Sequence, residues 1–238
     1  KRKKRVLQLG IFLLLGTILY LKYRNFFFGN VSKLAMALHI DWSYQDQLIF
    51  LPIGISFYTL SAIGYMADVY WGKVKAEYSL VKTALFLGFF PVIVEGPICR
   101  WEDVEDTLFK NESVKAENVF KGCYRIIWGL FKKMIIADRL AVLVDKVYVG
   151  YESYSGAVIV AAAISYTIQL YMEFSGCMDM VIGSAGLFGI RLPENFSQPF
   201  FAKTCTDFWK RWHITLGVWF KNYIFYPVSI SKTARKWN

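Results

Sequence analysis

The stretch KRKKRVLQLGIFLLLGTILYLKYR, residues 1–24, decides the fold class. Between Val6 and Leu21 it carries no charged side chain. At ~1.5 Å per residue such a helix is roughly 24 Å long, and the long flanking bases reach the head groups to complete a bilayer crossing. A basic front before an apolar run is also the outline of a secretory signal. Here no small-residue cleavage site follows, and Lys22-Tyr23-Arg24 comes directly after the run. The stretch therefore predicts a transmembrane helix. Because the first residue is Lys1 rather than Met, the natural chain is expected to start earlier.

Working outward, Leu48 to Tyr70 is a second apolar run, uncharged until Asp68. Leu80 to Ile98 is a third, interrupted by Lys82, Pro91, Glu95, Gly96 and Pro97. That interruption predicts a kinked or re-entrant element, which survives at membrane depth only beside protein or a water-filled cavity. Ser155 to Met172 is a fourth run, with Ala157, Ala161 and Ser165 spaced for close helix packing. Phe174-Ser175-Gly176 reads as a helix break, and Gly176 to Leu192 as a short Gly-rich segment that does not cross fully. Between these lie a connecting segment (Asn25 to Gln47), an exposed loop or surface helix (Arg100 to Asn118) and a polar loop (Pro193 to Thr204). Val119 to Val149 and Thr206 to Val228 have amphipathic patterns. The expectation is an all-α, multi-pass transmembrane bundle with re-entrant and interfacial amphipathic helices, residues 1–238 forming one membrane-embedded domain.

Composition agrees. Hydrophobic residues are 55% and charged residues 19%, against roughly 25% in soluble domains, and mean hydropathy is +0.34. Aromatics reach 18%, and Trp and Tyr favour the membrane–water boundary. The net charge of +10 is gathered beside apolar runs, at Lys1 to Arg5, Lys22 and Arg24, Lys73 and Lys75, Lys132 and Lys133. That placement fits cytoplasmic flanks near anionic lipid, and no nucleic-acid-binding motif accompanies it. Arg125, Lys132, Arg139 and Lys146 recur every seven residues and predict one basic stripe, snorkelling to lipid head groups or, alternatively, lining the path of an anionic substrate.

Several chemistries are excluded by their missing motifs: the nucleophile elbow, the phosphate-binding loop, HExxH and the dinucleotide fingerprint. Cys99, Cys123, Cys177 and Cys205 form no CxxC pair and have no histidine at metal-ligand spacing, so they read as small buried packing residues rather than a metal site. The chain has two histidines. His39 lies in the connecting segment and reads as incidental. On a helix through 206–228, Phe208, Trp212, Leu216, Trp219 and Tyr223 share one face, and His213 sits at its edge near Trp209 and Phe220. A neutral imidazole there could act as a base on an alcohol, or donate to a developing oxyanion, or simply bridge lipid and water. Of the acids in apolar segments, Asp68 is expected to be exposed at a helix end, while Glu173 and Asp179 flank the expected break and shape a polar cavity.

At these residues the sequence resembles the membrane-bound O-acyltransferases, in their bacterial alginate O-acetylation branch. Leu51-Pro52-Ile53-Gly54-Ile55-Ser56-Phe57-Tyr58-Thr59 running to Asp68 and Lys73 carries part of the likeness, and Phe89-Phe90-Pro91 with Gly96-Pro97-Ile98-Cys99-Arg100 carries more. The longest part runs from Phe174-Ser175-Gly176 and Asp179, through Arg191-Leu192-Pro193-Glu194-Asn195-Phe196, to Asp207-Phe208-Trp209-Lys210-Arg211-Trp212-His213, extended by Trp219-Phe220 and Tyr223 to Pro227. Departures are Glu173 in place of the family's usual Asp, Met178-Asp179 in place of Ser-Asp, and Ile214-Thr215-Leu216-Gly217 in place of Ile-Ser-Leu-Ser. The family's second signature histidine, usually given the catalytic role, lies further on in an apolar helix and has no counterpart before Asn238. The expectation is an internal fragment, inactive alone.

The resemblance implies transfer of an acyl group across the bacterial inner membrane. Acetyl-CoA is the implied donor, with no bound cofactor. An extracytoplasmic polysaccharide is the implied acceptor, reached through a partner acetyltransferase, with membrane lipid as the surroundings. It implies His213 as the catalytic or proton-handling residue. Arg100, Lys210 and Arg211 would offer charge to the CoA phosphates, and Glu173, Asp179, Asn195 and Asp207 complete the candidate substrate-binding set. D-alanyl transfer to teichoic acid from a carrier-protein thioester, and a polytopic transporter or flippase without chemistry, are the alternatives.

Overall fold

The computed structural model describes residues 1–110 and 114–230, so residues 111–113 of the expected hydrophilic stretch and the segment up to Asn238 lie outside it. The described residues form helices joined by loops, with one isolated antiparallel bridge, Phe196 to Trp212.

Helix α1 runs unbroken over Arg2–Ala37. The expected connecting segment therefore begins later than Asn25. Nothing in 25–37 stops a helix, and the chain turns only at Leu38 and His39, the latter with φ of 56°. The following segment folds back along α1: Tyr44 N–H donates to Ser32 Oγ (3.1 Å), Tyr44 Oη to Asn25 Oδ1 (2.8 Å) and Asn25 Nδ2 to the Gln47 carbonyl (2.9 Å). Helix α2, Ile55–Trp71, starts after Gly54, whose φ of 76° and position against the Ile93 carbonyl leave no room for a Cβ. It ends at Gly72, also at φ 76°, a left-handed cap. The third apolar run breaks into α3 (Leu80–Leu87) and the single turn α4 (Phe90–Ile93), with Pro91 in that turn.

Helix α5, Trp101–Leu108, is a surface helix only in part: Trp101 and Val104 are buried with Phe86, Ile182 and Leu192 in the main apolar cluster. Helix α6 (Ala116–Leu130) passes through a π-helical stretch, Phe131–Ala137, into α7 (Asp138–Val149). Helix α8, Gly156–Leu187, packs antiparallel against them. Gly122 faces Gly183, and Gly129 faces Gly176; a Cβ on any of the four would meet the opposite backbone within 2.8 Å or less. These glycines, not a break, explain the Gly-rich stretch. Helix α8 is continuous through Phe174-Ser175-Gly176, and Gly176 to Leu187 belongs to it. Of the small residues expected to pack, Ala157 and Ala161 are exposed and Ser165 is partly buried.

Among the described residues two helices, α1 and α8, are long and apolar enough to cross a membrane, and their most apolar windows are 0% and 6% buried by protein. Phe12, Phe26, Val160 and Ile164 are among the large apolar side chains they leave uncovered. Surface of that extent asks for an apolar surrounding. Cys123 and Cys205 are exposed, contrary to the expected burial of all four cysteines.

Candidate functional site

The segment expected as one amphipathic helix over 206–228 is instead broken at its histidine. Thr204 Oγ1 accepts from Asp207 N–H (3.0 Å) and caps α9, Cys205–Arg211. Beyond it the backbone is pulled away. Ser197 N–H donates to the Arg211 carbonyl (3.0 Å), and Ile214 N–H to the Asn195 carbonyl (3.0 Å). These bonds from the 193–198 loop replace the intrahelical ones. His213 takes a left-handed conformation, φ 47°, and α10 (Ile214–Phe220) restarts after it. A second π-helical turn, Lys221–Phe225, leads into α11, Tyr226–Ser229. The face assigned to His213 by helical periodicity is accordingly wrong, because the helix does not continue through it.

Asn195 is the hub. It is 0% exposed, within a loop expected to be merely polar. Its Oδ1 accepts from Thr215 Oγ1 (2.8 Å) and Thr215 N–H (3.1 Å), with His213 Nδ1 at 3.3 Å. Thr215 Oγ1 accepts in turn from Ile98 N–H (3.0 Å), tying in the 96–100 loop. Thr215 carries a hydroxyl, as the serine of the resembled motif does, and here it makes both of these bonds.

This network sets the imidazole tautomer. A backbone N–H can only donate, so the Asn195 atom facing Thr215 must be the carbonyl oxygen. The same oxygen faces His213 Nδ1 at 3.3 Å, a contact that a proton on Nδ1 turns into a hydrogen bond and that a lone pair there would oppose. The neutral ring then presents an unprotonated Nε2. Phe174 meets the ring edge-on at 4.9 Å, and Phe196 packs between Phe174 and Trp212. Burial among these groups holds the imidazole below the ordinary histidine value, so it stays neutral at pH 7.

The other candidates divide. Asn195 and His213 are brought into contact. Glu173 flanks Phe174 but pairs with Lys133 at 2.7 Å. Asp179 is held by Arg125 (3.0 Å) and Lys132 (2.6 Å), and Arg125 also grips Glu194 with both terminal nitrogens (2.7 and 2.6 Å). Arg125 and Lys132 of the basic stripe thus meet carboxylates rather than lipid, while Arg139 and Lys146 are exposed. Arg100 caps α5 and pairs with Glu102 and Asp103. Asp207 accepts from Arg211 Nε (2.9 Å), which lowers its pKa, and Lys210 is exposed. Sequence reasoning missed Thr215 and Phe174. It also misplaced Asp68, which is 2% exposed and accepts from Tyr223 Oη.

The family model described as MBOAT, membrane-bound O-acyltransferase, matches residues 73–237. The "Probable alginate O-acetylase AlgI" of Pseudomonas aeruginosa is 37% identical over 93% of this chain and 42% of its own length. The "Peptidoglycan O-acetyltransferase" of Helicobacter pylori is 32% identical over 95% of this chain and 47% of its own. The "Teichoic acid D-alanyltransferase" of Bacillus subtilis is 29% identical over 78% and 47%. The chain spans about half the length of the curated relatives it matches.

Proposed function

The chain belongs to the membrane-bound O-acyltransferase family, and from that premise we propose that the whole protein is a multi-pass inner-membrane enzyme that moves acetyl groups from cytoplasmic acetyl-CoA toward an extracytoplasmic polysaccharide. Residues 1–238 would lie in one membrane-embedded domain, with the basic Lys1 to Arg5 end of α1 on the cytoplasmic side. A separate extracytoplasmic acetyltransferase would receive the acyl group and complete the transfer.

The observation that carries the chemistry is the Asn195–His213 contact. It favours the base over the hydrogen-bond donor, because Nδ1–H is engaged and Nε2 holds the free lone pair. In the proposed step Nε2 accepts the proton of an alcohol as its oxygen bonds to the thioester carbonyl carbon. The carbon–sulfur bond then breaks, and the proton returns to the departing thiol. The family's second signature histidine would share this proton handling. The acetyl donor is preferred because the acetylating relatives match more of the chain, at higher identity, than the D-alanylating one.

The test is transfer from radiolabelled acetyl-CoA by the whole protein in membranes, wild type against His213→Ala at equal protein levels. Loss of roughly 100-fold or more is expected for a positioned base. Equal transfer by both would make His213 structural. Transfer that requires an acyl carrier protein instead would assign the D-alanyl chemistry.

A further inference from the structure

Three residues along α10 and the turn after it are each bonded to a different part of the protein. Thr215 Oγ1 accepts from Ile98 N–H (3.0 Å), Trp219 Nε1 donates to the Leu60 carbonyl (2.9 Å), and Tyr223 Oη donates to Asp68 Oδ2. They are spaced four apart. In a regular α-helix the third would have turned about 80° away from the first. The stretch Lys221–Phe225 is π-helical, and its i→i+5 bonding puts more residues into each turn. That offsets the drift and keeps Tyr223 toward α2.

Helix α2 is shaped to receive the phenol. Gly64 lies against the ring, where a Cβ would stand 3.2 Å from Tyr223 Cζ. Trp71 stacks on it with centroids 5.9 Å apart and planes 6° from parallel, and Lys73 Nζ lies 6.0 Å from its centre. Asp68 is 2% exposed. Its Oδ1 makes no hydrogen bond and has the Lys73 ammonium at 3.4 Å. Burying a carboxylate with so few bonds is costly, and as a plain fastener between helices an apolar contact serves as well or better. What the hydrogen bond adds is direction: it fixes where the arm ends.

The other end of that arm is His213. Of the three groups on Asn195 Oδ1, Thr215 Oγ1 lies at 2.8 Å, Thr215 N–H at 3.1 Å and His213 Nδ1 at 3.3 Å. The histidine contact is the longest, so a shift of α10 loses it first. His213 also keeps a left-handed backbone, φ 47°, which a residue with a side chain holds only while its flanks are fixed.

We propose that Tyr223 is a positioning residue for His213: its hydroxyl, seated on Asp68, fixes the far end of α10 and keeps the imidazole in register with Asn195. The role rests on the acyltransferase reading above, and Tyr223 acts on the reaction only through the arm.

Tyr223→Phe in the whole protein, in lipid nanodiscs, tests the clamp. It keeps the ring on Gly64 and Trp71 and removes only the hydroxyl. Per folded molecule, kcat should fall roughly 10- to 100-fold while the KM for acetyl-CoA stays level, as for a displaced catalytic group. Asp68→Leu should match it, and the double variant should lose no more than either alone. Asp68→Asn, which keeps an acceptor for the phenol, should lose far less than Asp68→Leu. Diethyl pyrocarbonate gives a readout without turnover: in Tyr223→Phe its reaction at His213, read by mass spectrometry against His39, should speed up severalfold. Wild-type kcat in Tyr223→Phe, a raised KM with level kcat, or a loss that the folded fraction accounts for would overturn the clamp while the acyltransferase reading stands. A wild type that transfers no acetyl, with His213 labelling still quickened in Tyr223→Phe, would overturn the function and leave the clamp.

Discussion

The α6–α8 contact and the Asn195–Thr215 segment both hold polar groups inside the protein, by opposite means. In the first, the backbone bonds stay within each helix, and the side-chain charges are redundant: Asp179 has two bases, and Arg125 has two acids. What cannot change is the glycine surface that lets the backbones meet. In the second, backbone bonds run between distant segments, and one oxygen, Asn195 Oδ1, serves three donors. There the side chain is what cannot change. A scaffold tolerates exchange of its charges, whereas a site built on one acceptor does not.

The largest effect expected from this contrast is at Gly129. Leucine there would drive a side chain into the Gly176 carbonyl and the Met180 side chain and force α6 and α8 apart. A cost of about 3 kcal/mol or more is expected, the upper end of overpacking penalties. Denaturant titration of the protein in mixed micelles measures it. A cost below about 1 kcal/mol would show that the helix pair gives way easily, and the comparison would fail on its rigid side.

Asn195→Ala is expected to act next in size. It removes the acceptor of the buried Thr215 N–H and hydroxyl, a loss of about 2 kcal/mol for groups left unsatisfied. It also releases the His213 tautomer. Acetyl transfer should therefore fall further than the folded fraction does, when both are measured on one preparation. Parallel losses would reduce Asn195 to a packing residue.

How much of this was legible in the sequence follows the same division. The apolar cores of α1 and α8, Val6 to Leu21 and Ser155 to Met172, were read correctly because a long uncharged run has few alternatives in water. Their ends were not. In sequence Gly176 reads as a helix breaker, since isolated glycines weaken helices, but opposite Gly129 it is a packing surface, and that depends on a partner far along the chain. Asp68 lies near a helix end, where exposure is the simpler expectation; it is buried instead, paired with nearby Lys73 at 3.4 Å and bonded by Tyr223, 155 residues away. His213 and Asn195 were both picked out, by resemblance rather than by periodicity. The break at His213 comes from a bond between Ile214 and Asn195, 19 residues apart, which no local pattern encodes.

The smallest expected effect is a shift in pH dependence, and it probes the hub most directly. His213 must be neutral to accept a proton. Burial holds its pKa below the ordinary ~6.5, so wild-type transfer should stay level through neutrality and fall only at lower pH. The stability contribution has the same sign. It is complete above the unfolded value of ~6.5 and is lost as pH falls toward the lower folded value, because the unfolded chain binds the proton first. Asn195→Asp keeps an acceptor oxygen for Thr215 while placing a carboxylate beside Nδ1. That charge favours the imidazolium, so the acid limb of the rate profile should move up by about 1–2 pH units. The α6–α8 region offers the control. Lys132→Met removes one of Asp179's two bases and touches neither Asn195 nor His213, so its limb should coincide with wild type. An unmoved limb in Asn195→Asp would mean that the oxygen at 3.3 Å does not govern the imidazole, and that the tautomer is set elsewhere.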